Sequence, residues 1–433
     1  MLVEFSVENF RSIRERITLS MLATPDQTHP GNVFAVGAWE KEKFVKSAFL
    51  YGPNASGKTN IIRAMRYLKM LIMSSEQRNK GTKIEYDPFL FDDEYSNKPS
   101  TFEVRFVADG IPYTYGLEVD AERVHSEYLY YAPQGRKAVV FERTKDQYKF
   151  TVDKERQTAI AQNTISNRLY LASATNANYD KTEPAFRWFK DIMQTRIDLD
   201  ISQWQQYTSE CLSAGGERSE KIQQFMRKAD FGIQSISAKR ITITEDMLRP
   251  ETPSEVRKNL LGKEFSEVVF HHQGKNAKVP LDIDEESDGT QYVYALAGPL
   301  FDVLENGLVF LIDEIEASLH PHIVREIIRL FHDPDCNRKN AQLICTTHAM
   351  SFLNRELLRR DQIWFTEKDA ETGATDLFSL ADIRGIRKDE NYEKAYESGR
   401  YGAVPFFGTG LMDCAKPCPA GGNACPNESG REG

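Results

Sequence analysis

Gly52-Pro53-Asn54-Ala55-Ser56-Gly57-Lys58-Thr59 decides the reading of this chain, because it is a complete phosphate-binding loop. The spacing has a physical cause. Two glycines let successive backbone N–H groups curl around a β-phosphate, the lysine reaches the β- and γ-oxygens, and the threonine hydroxyl ligates Mg²⁺. Ser47-Ala48-Phe49-Leu50-Tyr51 before the loop reads as a short buried strand, and Ile61, Ile62, Met65, Leu68 and Ile72 after it recur at helical spacing. Strand, loop and helix in that order predict an α/β fold that binds ATP. Gly52, Asn54, Ala55, Ser56, Gly57, Lys58, Thr59 and Asn60 are the nucleotide-binding candidates, with Thr59 also a metal ligand.

Far downstream, Val309-Phe310-Leu311-Ile312 follows the turn residues Asn306-Gly307 and ends in Asp313-Glu314. This predicts a buried parallel strand with carboxylates at its tip. Alone, such a strand is one that meets solvent; beside a phosphate loop, Asp313 is a magnesium ligand and Glu314 polarises a water for in-line attack. Between the two motifs, Glu286-Ser287-Asp288-Gly289-Thr290-Gln291 precedes a helical pattern through Tyr294, Leu296, Leu300, Val303 and Leu304, so Ser287 and Gly289 open a helix. A further strand, Gln342-Leu343-Ile344-Cys345-Thr346-Thr347, ends in His348, whose ring N–H suits a place near a γ-phosphate.

The serine-glycine turn resembles the signature motif of ABC-type ATPases, which presents a serine and a helix N-terminus to the γ-phosphate held by a second protomer. Transporters carry Ser-Gly-Gly-Gln where this chain has Ser287-Asp288-Gly289-Thr290. With Ile315-Glu316-Ala317-Ser318-Leu319-His320-Pro321 and His348 added, the set is similar to the ABC-type heads of the RecF, SMC and OLD proteins. That resemblance makes Ser318-Leu319-His320 the D-loop and His348 the switch histidine. The opening stretch from Met1 to Ile13 alternates apolar and polar residues like the first strand of those heads, with Arg11 a candidate to approach the nucleotide.

Adding Gly399-Arg400-Tyr401-Gly402-Ala403-Val404-Pro405, residues 1–408 resemble the AbiLi/RloA-like bacterial defence ATPases. The resemblance implies a P-loop ABC-type ATPase head with a β-rich N-terminal lobe and a helical insertion. It implies a homodimer or higher homo-oligomer that sandwiches ATP and Mg²⁺ head to tail. It also implies a separately encoded effector, often a TOPRIM-like nuclease, in abortive infection or anti-phage immunity. Lys58 would stabilise transition-state charge, Thr59 and Asp313 hold magnesium, Glu314 act as general base, His348 sense the γ-phosphate and Ser287 act in trans. Two other readings stay open: a RecF-type clamp that closes on DNA, and a scaffold held together by bound ATP.

The chain of 433 residues is long enough for more than one unit, and a hydrophobic fraction of 40% supplies sizeable cores. The expected division is an ATPase lobe with antiparallel hairpins over 1–150, a mainly helical insertion or lid over 151–285, a second ATPase lobe over 286–408 and a disordered tail over 409–433. Trp188, Phe189, Ile192 and Met193 form one candidate apolar helical stripe in the insertion; Ile222, Phe225 and Met226 form another. No sustained heptads support a coiled-coil arm. Cys211, Cys336, Cys345, Cys414, Cys418 and Cys425 lack the dense spacing of a disulfide scaffold, and the last three lack a nearby histidine for zinc. A net charge of −9 argues against a globally basic nucleic-acid protein, although a local patch could still track DNA phosphates. The charged stretch from Arg136 to Arg156 reads as a solvated face. No stretch has the length of a membrane span and the N-terminus lacks a signal core, so a cytoplasmic protein without membrane attachment is expected.

Overall fold

In the computed structural model, which describes residues 1–37, 42–196, 201–229, 232–387 and 389–404, Ser47–Tyr51 lies inside a six-stranded sheet. Gln342–Thr346 flanks it on one side, followed outward by Val309–Ile312 and Met193–Arg196; Ile363–Lys368 and then Thr375–Ser379 lie on the other. All pairings are parallel except that of the outermost Thr375–Ser379. The phosphate-loop strand and the carboxylate strand therefore share one neighbour, the strand that leads to His348.

Side chains alternate across a strand, and here both faces are buried. Ala48, Leu50, Val309, Leu311, Ile344 and Trp364 enter one core with the helix Lys58–Met73. Phe49, Tyr51, Phe310, Ile312, Leu343, Cys345, Ile363 and Phe365 enter a second core with the helices Asp288–Asn306 and Pro321–His332. Double burial explains why these segments are continuous apolar runs; each large side chain so buried contributes about 1.5–3 kcal/mol before entropy is counted.

The first core is closed by a seven-stranded antiparallel sheet, ordered Gln147–Lys149, Ala138–Thr144, Val124–Tyr131, Ile111–Val119, Ser100–Ala108, Leu2–Glu8 and Ile17–Ser20. The expected hairpin turns at Asp109-Gly110, where both residues have positive φ (49° and 76°), as a two-residue hairpin loop requires. Gln342 locks the two sheets together: its side-chain amide accepts from Leu2 N–H at 2.7 Å and donates to Leu2 C=O at 3.0 Å.

The interval 151–285 is not mainly helical throughout. It begins with Lys154–Asn163, Tyr170–Asn176 and Glu183–Arg187, and continues through Ile201–Ala214 and Gly216–Lys228. A three-stranded antiparallel sheet of Ile233–Thr242, Glu264–Gln273 and Lys278–Asp282 then follows. Ile236, Val268 and Phe270 point inward from that sheet against the second core, a period of two in a stretch dominated by charge. The stripe through Trp188 also divides. Trp188–Ile192 is a single π-helical turn, and Met193 begins the edge strand that pairs with Val309. Ile222, Phe225 and Met226 are buried on the helix Gly216–Lys228, as their spacing predicts. Among the described residues no helix is long and apolar enough to cross a membrane. The segment 409–433 with Cys414, Cys418 and Cys425, and Pro405 of the Gly399–Pro405 run, lie outside the described residues.

At the end of the parallel sheet away from the loop, His332 is buried and its Nε2 shares hydrogen bonds with Ser47 Oγ (2.8 Å) and Gln362 Nε2 (3.2 Å). Burial first, then the nearby charges of Lys46 and His29, push its pKa from 6.5 down to about 3. The unfolded chain thus takes up a proton that the folded chain refuses. This contribution is whole above pH 6.5 and falls by about 1.4 kcal/mol for each pH unit below it. Denaturant unfolding at pH 7 and pH 5 should differ by roughly 2 kcal/mol from this residue. His332→Gln should flatten that slope, and an unchanged slope would remove His332 as its source.

Candidate nucleotide-binding site

The loop backbone takes a shape that side chains resist. Gly52 has φ 153° and Gly57 has φ 104°. A Cβ on Gly52 would lie 2.4 Å from Thr366 C=O, and one on Gly57 would lie 2.1 Å from Thr375 Oγ1. Ala55 also has positive φ (62°), and it stands exposed with Asn54 at the mouth of the loop. The helix Lys58–Met73 begins directly from Gly57, so its free N–H groups and its positive dipole end face the loop.

A wall of hydroxyls holds the loop from behind. Ser56 Oγ meets Thr366 Oγ1 at 2.6 Å; Thr375 Oγ1 donates to Ser56 C=O at 2.9 Å and meets Ser12 Oγ at 2.8 Å. Asn60 points into this wall, its amide donating to Ser12 Oγ at 2.7 Å. Ser12, Thr366 and Thr375 escaped the sequence reading; Thr375 opens the edge strand Thr375–Ser379, whereas Thr366 lies inside Ile363–Lys368. Arg11, next to Ser12, is tied to Asp87 through Nε (3.1 Å) and Nη2 (2.8 Å).

Lys58 is almost wholly buried and curls back, donating to the carbonyls of Gly52 (2.8 Å) and Pro53 (2.9 Å). Burial brings its pKa down to about 8, although the carboxylates of Glu314, Asp313 and Glu316 pull the other way. A triphosphate restores the charged form, so binding above pH 8 must take up a proton. Nucleotide affinity should therefore fall roughly tenfold per pH unit above 8. Equilibrium binding of a non-hydrolysable analogue that stays level from pH 7.5 to 9.5 would contradict this.

Two hydroxyls converge on Asp313. Its Oδ1 accepts from Thr59 Oγ1 at 3.0 Å and from Thr346 Oγ1 at 2.6 Å, which places the tips of three elements together. The donor set fits magnesium: one hydroxyl and one carboxylate are hard oxygens, and this ion takes few protein ligands and fills its shell with water and phosphate oxygen. Among the described residues no group of three or more His, Cys, Asp or Glu could hold a metal by itself.

Glu314 has left-handed backbone (φ 50°), with its N–H donated to Thr346 Oγ1 at 2.7 Å. Its side chain is 56% exposed, and its Oε1 lies 3.9 Å from His348 Nε2. Thr346 thus holds the side chain of Asp313 and the backbone of Glu314, and it too was missed. Glu316, two residues further, accepts the backbone N–H of His348.

Ser287 caps the helix Asp288–Asn306: its Oγ accepts from Thr290 N–H at 3.2 Å and meets Thr290 Oγ1 at 2.9 Å. A Cβ on Gly289 would stand 3.2 Å from Ser318 C=O, so this turn packs on the loop that follows the carboxylate strand. Glu286, just before the cap, meets His272 Nε2 of the three-stranded sheet at 2.6 Å. The same helix contains Pro299, which leaves Ala295 C=O without its helical donor. Thr208 Oγ1 repairs the gap by donating to Ala295 C=O (3.3 Å) and accepting from Gly298 N–H (3.1 Å). Gly298 is needed there, since a Cβ would lie 2.6 Å from that hydroxyl.

Solved structures similar to this chain include three SMC heads, each 13% identical. One, bound to the C-winged helix domain of ScpA, has a TM-score of 0.41 over 92% of this chain and 99% of its own. The head from Thermotoga maritima has a TM-score of 0.38 over 87% and 98%. The head with an extended coiled coil from Pyrococcus furiosus, bound to the C-terminal domain of ScpA, has 0.37 over 92% and 98%. No curated protein sequence matches the chain. Residues 47–354 match the model of the AAA domain family described as "putative AbiEii toxin, Type IV TA system". That match begins on the phosphate-loop strand, takes in both carboxylates and His348 and spans more than half of the residues, and the chain belongs to this AAA family.

Proposed function

We propose that the protein is an ATPase in which two copies close around ATP, and that the cycle controls a separately encoded effector. The observation that carries the reading is the contrast at one strand tip. Asp313 is held by two hydroxyls beside a buried lysine, whereas Glu314 next to it is held only by its backbone and projects outward. The first arrangement suits binding and the second suits proton transfer.

In this mechanism Lys58 leaves the carbonyls of Gly52 and Pro53 for the β/γ oxygens, where its charge opposes that developing in the transition state. Thr59 and Asp313 would hold Mg²⁺, which would further neutralise the phosphate charge. Glu314 accepts the proton of the attacking water as the O–P bond forms and the bond to the β-phosphate oxygen breaks. His348 orients the γ-phosphate side of the site. The exposed Glu314 needs a cover, and the Ser287–Gly289 turn of a second copy supplies it, with a helix N-terminus facing the γ-phosphate.

Mixing two inactive variants tests the arrangement. Lys58→Ala and Ser287→Ala each lose turnover, but a mixed dimer keeps one site with both residues, so about a quarter of wild-type phosphate release should return. No recovery would exclude the shared site. The family description names a putative toxin of a Type IV TA system, which is in keeping with a role in defence; a TOPRIM-like nuclease as the effector and the cytoplasm as the place of action rest on the motif resemblance alone. Co-purification with the product of a neighbouring reading frame should give a stoichiometric complex; a lone homo-oligomer would count against an effector.

A further inference from the structure

The third carboxylate of Asp313-Glu314-Ile315-Glu316 has no part in the scheme above, yet it lies deeper than Glu314. Glu316 Oε1 accepts the backbone N–H of His348, across the gap between two strand ends. Its Oε2 is buried, and no hydrogen bond reaches it among the described residues. Behind it lie Tyr51, at the end of the phosphate-loop strand, and the buried Cys345; both feel its charge, as does Lys58.

Folding alone does not call for a carboxylate here. The equivalent N–H of Glu314, one strand over, is satisfied by a threonine hydroxyl. A buried carboxylate oxygen without a partner is costly, so its retention points to use. The side chain grips the root of His348, while the ring of that histidine reaches to 3.9 Å from Glu314 at its other end.

We propose that Glu316 is a positioning residue, clamping the main chain of His348 so that its imidazole stands beside Glu314 and the γ-phosphate. The proposal rests on the hydrolytic reading above. It assigns Glu316 no contact with nucleotide. Acceptor geometry, not charge, is what the clamp requires, and this separates it from a general base.

Two variants of similar volume test it. Glu316→Gln keeps an acceptor oxygen for the His348 N–H, and Glu316→Met fills the space without one. Amide hydrogen exchange of nucleotide-free protein should show His348 exchanging at least about tenfold faster in E316M and near the wild-type rate in E316Q. In steady-state hydrolysis, E316M should lose roughly tenfold or more in kcat with KM for ATP nearly unchanged, and E316Q should recover most of the loss. Full activity in E316M, or an E316Q as slow as E316M, would overturn the clamp. A wild-type protein without turnover would instead sink the hydrolytic reading and the proposed purpose of the clamp, while the exchange rates would still report the contact itself.

Discussion

Glu314→Gln should lower the rate of ATP hydrolysis by about 10²–10⁴-fold while leaving ATP binding within a few-fold of normal. The amide matches the carboxylate in shape but cannot take a proton from water. The backbone at this position is fixed by Thr346 and not by the side chain, and the side chain is more than half exposed, so the substitution should cost little stability. ATP then enters, the two copies close, and nothing reopens them. Light scattering with ATP and magnesium should show a persistent dimer where the wild-type protein shows a transient one. Undiminished phosphate release would remove Glu314 from the chemistry.

Lys58→Ala should have the opposite character. The ammonium makes two hydrogen bonds to loop carbonyls and, on binding, exchanges them for charged phosphate oxygens. Losing it should weaken triphosphate binding about 100-fold, corresponding to one or two charge-assisted bonds. The fold should not suffer. Burial already disfavours the charged lysine, which is why its pKa is brought down to about 8, and alanine removes that cost. The variant should melt at or above the wild-type temperature and should lose the upward shift that ATP gives the parent. A variant that unfolds, or that keeps the ATP-induced shift, would refute this account.

What could be read from sequence was what lies contiguous along the chain. The loop with its strand and helix, the run ending in Asp313-Glu314, the Ser287 helix start and the strand ending at His348 each carry their pattern within about ten residues, as a periodicity and a boundary signal. The hydroxyl wall does not. Ser12 and Thr375 meet across 363 positions, and serine and threonine are too common for their spacing to signal anything. Thr346 sits in an expected strand, but its bonds to Asp313 and to Glu314 N–H depend on strand order, which no local pattern encodes. The three-stranded sheet was missed because only Ile233, Ile236, Val268 and Phe270 of its described residues are buried in the core, too few to outweigh the surrounding charge. The Trp188 stripe does enter the core, with Trp188, Phe189 and Met193 buried and Ile192 packed against them, but it divides between a π-helical turn and an edge strand, a boundary that apolar spacing alone does not mark.

The two cores share their strands, residue by residue, as the alternation of Ala48 and Leu50 with Phe49 and Tyr51 illustrates. Peeling away either layer would strip water-repelling surface from the other, so the two layers should melt in a single event, with one midpoint for probes on both sides. The ligand loop grows out of that common seam. Heat or denaturant should accordingly extinguish nucleotide binding at the moment the whole molecule comes apart, with no crippled half-folded species surviving to hold ATP.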